Sequence, residues 1–214
     1  MKFSIEELRP IRNGMTISRD SRLGNSTKVT YFSMGKDTSI SQESYDRMTM
    51  YIVASGWGEF IIGEEPEIIK LQPDELLIVP AGTLCGMQTS NGIVYTEIIC
   101  TGKDINMNAN VKTNEVFALK NLISYEEGSI ANMDVVSTPD MKYVLMAFDE
   151  GTGLTPHRAP GNAIVFALEG KATIGYEGKD YELSEGECFR FEKNGLHSVT
   201  ANGKFKMALL LVLE

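Results

Sequence analysis

Only two imidazoles occur in the chain, and they frame the chemical question. His157 lies in Gly-Thr-Gly-Leu-Thr-Pro-His-Arg-Ala-Pro, and His197 in Glu-Lys-Asn-Gly-Leu-His. A neutral imidazole is a ligand for zinc, iron, nickel or manganese, so two that face each other could anchor such an ion. Two alone hold a metal poorly, because protein metal sites draw on three or four donors. Asn162, Cys188, Thr155 or a bound substrate are candidates for the next donor. No glycine-rich phosphate loop, no Gly-x-Ser-x-Gly elbow and no calcium loop occurs, which leaves these histidines as the strongest chemical signal.

Short alternating segments carry them. Residues 30–34, 48–53, 59–62, 67–71, 75–79 and 93–100 read as strands, being rich in β-branched and aromatic residues and bounded by Gly, Pro, Asn or Asp. The series recurs at 142–148, 163–168, 172–174, 179–183, 187–191 and 204–212. The spacing predicts no long helix, and only one turn over residues 4–8, where Ser4 and Glu7 form a capping box.

The two series are in register with each other. Under a shift of 114 residues Phe3 meets Phe117, Leu8 meets Leu122, Gly14 meets Gly128, Thr38 meets Thr152 and Gly56 meets Gly170. After the next hairpin the shift becomes 112, so that Asp74 meets Gly186 and Cys85 meets His197. A single drift of two residues placed in a turn is the mark of a tandem duplication with one loop deletion. The expected organisation is therefore an all-β unit over 1–102, a polar, asparagine-rich linker over 103–114 and a second all-β unit over 115–214.

This pattern resembles the cupin superfamily, whose members are double-sheet jelly-roll barrels. The family's first motif is usually Gly-x5-His-x-His-x3-Glu-x6-Gly, and its second Gly-x5-Pro-x-Gly-x2-His. The second half keeps the first spacing with Gly151, His157 and Gly170, and the second with Gly186 and His197. Ala159 and Ala163 stand at the remaining two ligand positions, and Glu192 and Asn194 replace the Pro and Gly. The first half keeps Pro80-Ala81-Gly82, with Cys85 at the last ligand position and Glu43, Tyr45 and Thr49 at the other three. The resemblance implies two tandem cupin barrels (double-stranded β-helices) from an internal duplication, with half of the metal ligands of the second barrel lost. Its pocket would be walled by His157, His197, Ala159 and Ala163. In the first barrel, Glu43, Tyr45, Thr49 and Cys85 would surround a small cavity that could take a soft metal, or supply an acid and a nucleophile. No neighbouring base is evident to activate Cys85, and Leu84 and Met87 beside it favour plain burial.

Composition narrows the classes of partner. With 20 Lys and Arg against 29 Asp and Glu, the net charge is −9, and no basic patch suited to nucleic acid or an anionic membrane is visible. The N-terminus carries acids where a secretory signal needs an apolar run, and three cysteines without a Cys-x-x-Cys suit a reducing, cytoplasmic compartment. The expected function is binding of a small molecule in the second barrel, with at most a weakly held divalent metal (Zn, Fe, Mn or Ni). A metal-dependent isomerase or dioxygenase is the alternative, and a sensory or structural module the third. A homodimer is a further expectation, since unpaired sheet edges invite association.

Overall fold

The computed structural model describes residues 1–24, 27–102 and 104–213. The chain divides into two compact units, and neither is a contiguous half of the sequence. The first comprises Ile5–Thr101 with Ala109–Ala118. The second comprises Met1–Ser4, Gly102–Asn108 and the chain from Leu119 on. All-β architecture dominates both, and among the described residues the one α-helix is the turn Ile5–Leu8.

In the first unit two antiparallel sheets face each other. The six-stranded sheet runs in the order Val116–Ala118, Glu75–Val79, Thr49–Gly56, Ile93–Ile99, Lys28–Met34, Thr16–Asp20. The four-stranded sheet runs Thr38–Ser44, Leu84–Thr89, Gly58–Ile62, Glu67–Leu71. Period-2 alternation sends Met34, Tyr51, Val53, Leu77 and Tyr95 from one sheet and Phe60, Leu71 and Met87 from the other into a shared apolar core.

The second unit closes its two layers differently. Two long strands, Asn162–Tyr176 and Leu196–Val212, belong to a single nine-stranded sheet and pair with each other along most of their length. Their register shifts between Ala167 and Glu169 and again between Gly170 and Ala172. Bulges of this kind bend a strand and let one sheet wrap round a core. That core is aromatic: Phe148, Phe189, Phe191 and Phe205 are each at most 2% exposed. The segments expected separately at 163–168 and 172–174 are thus one strand.

Each unit contains a strand from the far side of the expected linker. Lys2–Phe3 pairs with Cys188–Phe191 in the second unit, where Lys2 also forms an ion pair with Glu187 at 2.8 Å. Val116–Ala118 pairs with Glu75–Val79 in the first. Within the expected linker, Asn106–Met107 pairs with Ile130–Ser137. Strands of two or three residues are too short to show alternation, and the polar composition of 103–114 further concealed Asn106–Met107.

The motif glycines mark left-handed backbone. Gly56 and Gly170 have φ of 72° and 75°, and a Cβ on either would lie 2.1 Å from a carbonyl oxygen of the neighbouring strand. Where the sequence departs from glycine the conformation persists: Asp37, Asp74 and Asn194 have φ of 56°, 63° and 61°. Asp and Asn are the residues best able to replace Gly there. Among the described residues, no helix is long and apolar enough to cross a membrane.

Candidate functional site

Gly153–Arg158 and Leu196–Val212 pair antiparallel, with His157 directly opposite His197. The histidine strand is short, largely exposed and was not among the expected strands. It is interrupted by Pro156, which has no N–H to give to the ladder, and the register shifts between Leu154 and His157. The shift brings the two imidazoles side by side, with ring centroids 4.3 Å apart.

Both rings are oriented by the backbone. Nδ1 of His157 lies 2.9 Å from the Thr155 carbonyl, and Nδ1 of His197 lies 2.8 Å from the Gly195 carbonyl. A carbonyl oxygen only accepts, so each neutral ring carries its proton on Nδ1 and keeps the lone pair on Nε2. Such a bond to a carbonyl fixes the ring's tautomer and orientation and prepares Nε2 for a ligand. His197 is buried at 8% exposure and stacks on Phe191 with a centroid distance of 4.2 Å, whereas His157 is exposed. Burial holds the His197 pKa below the ordinary imidazole value, opposed by its bond to the Gly195 carbonyl and reinforced by His157. His197 also borders an open cleft of about 260 Å³ that includes Pro156, Tyr176, Lys179, Asp180 and Leu196.

The other expected positions contribute little chemistry. Ala163 is 2% exposed within the apolar core, and the Ala159 carbonyl accepts a hydrogen bond from the Asn194 N–H. Neither carries a donor where the resemblance has a histidine and a carboxylate. Thr155 serves through its carbonyl, Asn162 accepts from the Lys193 N–H, and Cys188 is buried opposite Phe3 and Phe166. Among the described residues no group of three or more His, Cys, Asp or Glu side chains could hold a metal. The donor set therefore does not fit a tightly bound metal.

The first unit repeats this geometry with different side chains. Glu43 lies directly opposite Cys85, with a register shift between Ile40 and Glu43. The Gly82 N–H bonds the Tyr45 carbonyl just as Asn194 bonds Ala159. Thr49 is 1% exposed. A residue that strand reading passed over completes the cluster. Glu97, 5% exposed, accepts a 3.5 Å hydrogen bond from Tyr45 and is also bonded by Tyr51, which in turn bonds Cys85. Glu97 sits in a run of seven strand residues whose neighbours are all apolar, Thr or Tyr, and an acid at a core-facing position of such a run was the available signal.

Burial dominates the electrostatics here. It pushes the Glu97 carboxyl up to about 6, against the pull of Lys28 and the Tyr45 hydrogen bond. It pushes the Cys85 thiol up to about 11, so Cys85 is a protonated thiol near neutrality and not an activated nucleophile. Tyr45 is raised to about 12. Glu97 has a consequence for stability. The folded chain holds this proton more tightly than the unfolded chain, whose value is near 4.5. Its contribution is thus fully present below about 4.5 and is lost as the pH rises through about 6. The loss amounts to about 2 kcal/mol, at 1.36 kcal/mol per pKa unit. Urea unfolding across this window should show that decline in wild type and a flatter profile in Glu97→Gln; parallel profiles would refute the assignment.

The fold so described has relatives. Residues 144–213 match the family model of the cupin domain. A cupin 2 conserved barrel domain protein from Leptotrichia buccalis superposes with a TM-score of 0.87 over 99% of this chain and 96% of its own, at 24% identity. Salicylate 1,2-dioxygenase from Pseudoaminobacter salicylatoxidans, in its gentisate adduct, superposes with a TM-score of 0.68 over 96% of this chain and 76% of its own, at 11% identity. No curated protein is similar in sequence. The architecture is accordingly a cupin jelly roll, and the segment that carries both histidines lies within or beside the matched cupin domain.

Proposed function

We propose that this protein is a bicupin, duplicated from one barrel, that binds a small organic molecule at His157 and His197 of its second unit. The observation that carries the reading is the pair of Nδ1–carbonyl bonds, which leaves two Nε2 lone pairs on adjacent rings beside an aromatic wall. Support for duplication comes from the matched pairings of Glu43 with Cys85 and His157 with His197. A divalent ion is held weakly, by these two nitrogens together with water or the ligand itself. The isomerase or dioxygenase alternative needs a third protein donor, which the described residues do not gather.

Elemental analysis and zinc titration test this. Protein purified without added metal should carry far less than one equivalent. Added Zn²⁺ should bind weakly, and the double variant His157→Ala, His197→Ala should lose more than about tenfold in affinity, since even changes outside the first ligand shell cost ~10–100-fold. Stoichiometric metal as purified would favour the enzyme, and undiminished zinc binding in the double variant would sink the site.

A further inference from the structure

Among the described residues, the polar cluster inside the first unit has no ion-paired partner of opposite charge. Glu97 lies on the core-facing side of Ile93–Ile99, directly opposite Tyr51 on one neighbouring strand and Thr30 on the other. Directly opposed residues share a face, with Cβ atoms about 5 Å apart. Thr30 is 5% exposed, and its Oγ1 is buried without a hydrogen-bond partner. A buried hydroxyl left unpaired in a native structure calls for an explanation. Glu97 and Glu43 have no ion-pair partner within 4.0 Å among the described residues; Lys28 acts on Glu97 from an exposed position.

Several groups among the described residues face Glu97. Tyr95 lies on its own strand, Tyr51 on the second, and Thr30 and Lys28 on the third. Glu43, Tyr45 and Cys85 come from the opposite sheet and its adjoining turn. The wall beside them is aromatic: Tyr51 packs 5.0 Å from Phe60 and 6.1 Å from Tyr95, and Tyr95 stacks on Phe32 at 5.0 Å. Tyr45 is half-buried, Cys85 partly so and Glu43 exposed, so the cluster reaches solvent on their side.

We infer that the first unit binds a small primary ammonium ion, with the Glu97 carboxylate as its counter-charge and Thr30 Oγ1 as a second acceptor. An ammonium group has three N–H donors and no acceptor. The cluster offers a carboxylate, the Thr30 hydroxyl and the lone pairs of the Tyr45 and Tyr51 hydroxyls. Aromatic faces favour an organic cation, and a buried carboxylate gains most from the charge it lacks. A metal ion suits the cluster less well, because among the described residues no group of three or more His, Cys, Asp or Glu side chains could hold one. The site involves none of the residues of the histidine pair.

Propylammonium is the probe, followed by isothermal titration calorimetry on the full chain near neutral pH. Saturable one-site binding is expected at millimolar concentration. Glu97→Gln should weaken it by about tenfold or more, as expected when one partner of a buried charge pair is removed. Thr30→Val, which keeps the β-branched shape, should weaken it several-fold. Propanol and tetramethylammonium, which lack the charge and the N–H donors respectively, should bind more weakly than propylammonium. The His157→Ala, His197→Ala variant should bind propylammonium as wild type does, which separates this inference from the reading of the second unit. Absence of saturable binding, equal binding by Glu97→Gln in a variant whose circular dichroism is native, or equal binding of tetramethylammonium would overturn it.

Discussion

Phe191→Ala should destabilise the second unit by about 3–5 kcal/mol, the range for removing a large aromatic from a close-packed core. Phe191 is 2% exposed, and its ring lies 5.0 Å from Phe189, 5.5 Å from Tyr176 and 4.2 Å from His197. Those rings are held on separate strands, so none can collapse into the space without moving a strand, and the cavity term is added to the transfer term. The effect extends to the site. Without the stacked ring, one face of His197 is open to water, its burial falls and its pKa rises toward the ordinary imidazole value. Phe191→Leu should retain most of the stability while losing the stacking. Urea unfolding followed by near-ultraviolet circular dichroism measures the first effect, and NMR titration of the His197 ring the second. A loss below about 1 kcal/mol would contradict the core placement of Phe191.

Gly170→Ala should cost about 3 kcal/mol or more. Gly170 has φ of 75°, a conformation that costs an L-residue roughly 1–2 kcal/mol. A Cβ there would also lie 2.1 Å from the Lys204 carbonyl oxygen, a backbone atom of the paired strand. Relief of that clash means parting two strands between two bulges that bend the sheet. Gly178→Ala is the control, because Gly178 has a similar φ of 78° but nothing within 4 Å of its Cβ position. The difference between the two urea midpoints therefore isolates the steric part. Equal losses would show that the strands give way freely at Gly170.

The histidine pair shows how far sequence reading reaches into the site. The cupin resemblance placed both histidines at ligand positions of its two motifs, and the folded chain sets His157 directly opposite His197. The carbonyl bonds that orient the rings come from Thr155 and Gly195, two residues upstream in each case. Any residue type supplies a carbonyl, so composition holds no trace of that role. The strand Gly153–Arg158 was missed for a related reason. It contains Pro156, is mostly exposed and shows no apolar alternation. Glu97 lay in plain view inside a strand that was recognised, yet the signal for its role was its contrast with apolar neighbours rather than any motif.

Alternation and turn residues were enough to define an all-β chain, because side-chain period and left-handed turns are local properties of the backbone. They persist even at Asp37, Asp74 and Asn194, where glycine is absent. Three features required the folded chain: the placement of Lys2–Phe3 and Val116–Ala118, the joining of two expected strands into Asn162–Tyr176, and the gathering of Tyr45, Tyr51, Cys85 and Glu97. Each depends on which strand edge is left open and which residues come to lie opposite one another across a sheet. Such pairings link residues dozens of positions apart, and their free energy resides in burial and cross-strand contact, which no local window of sequence contains.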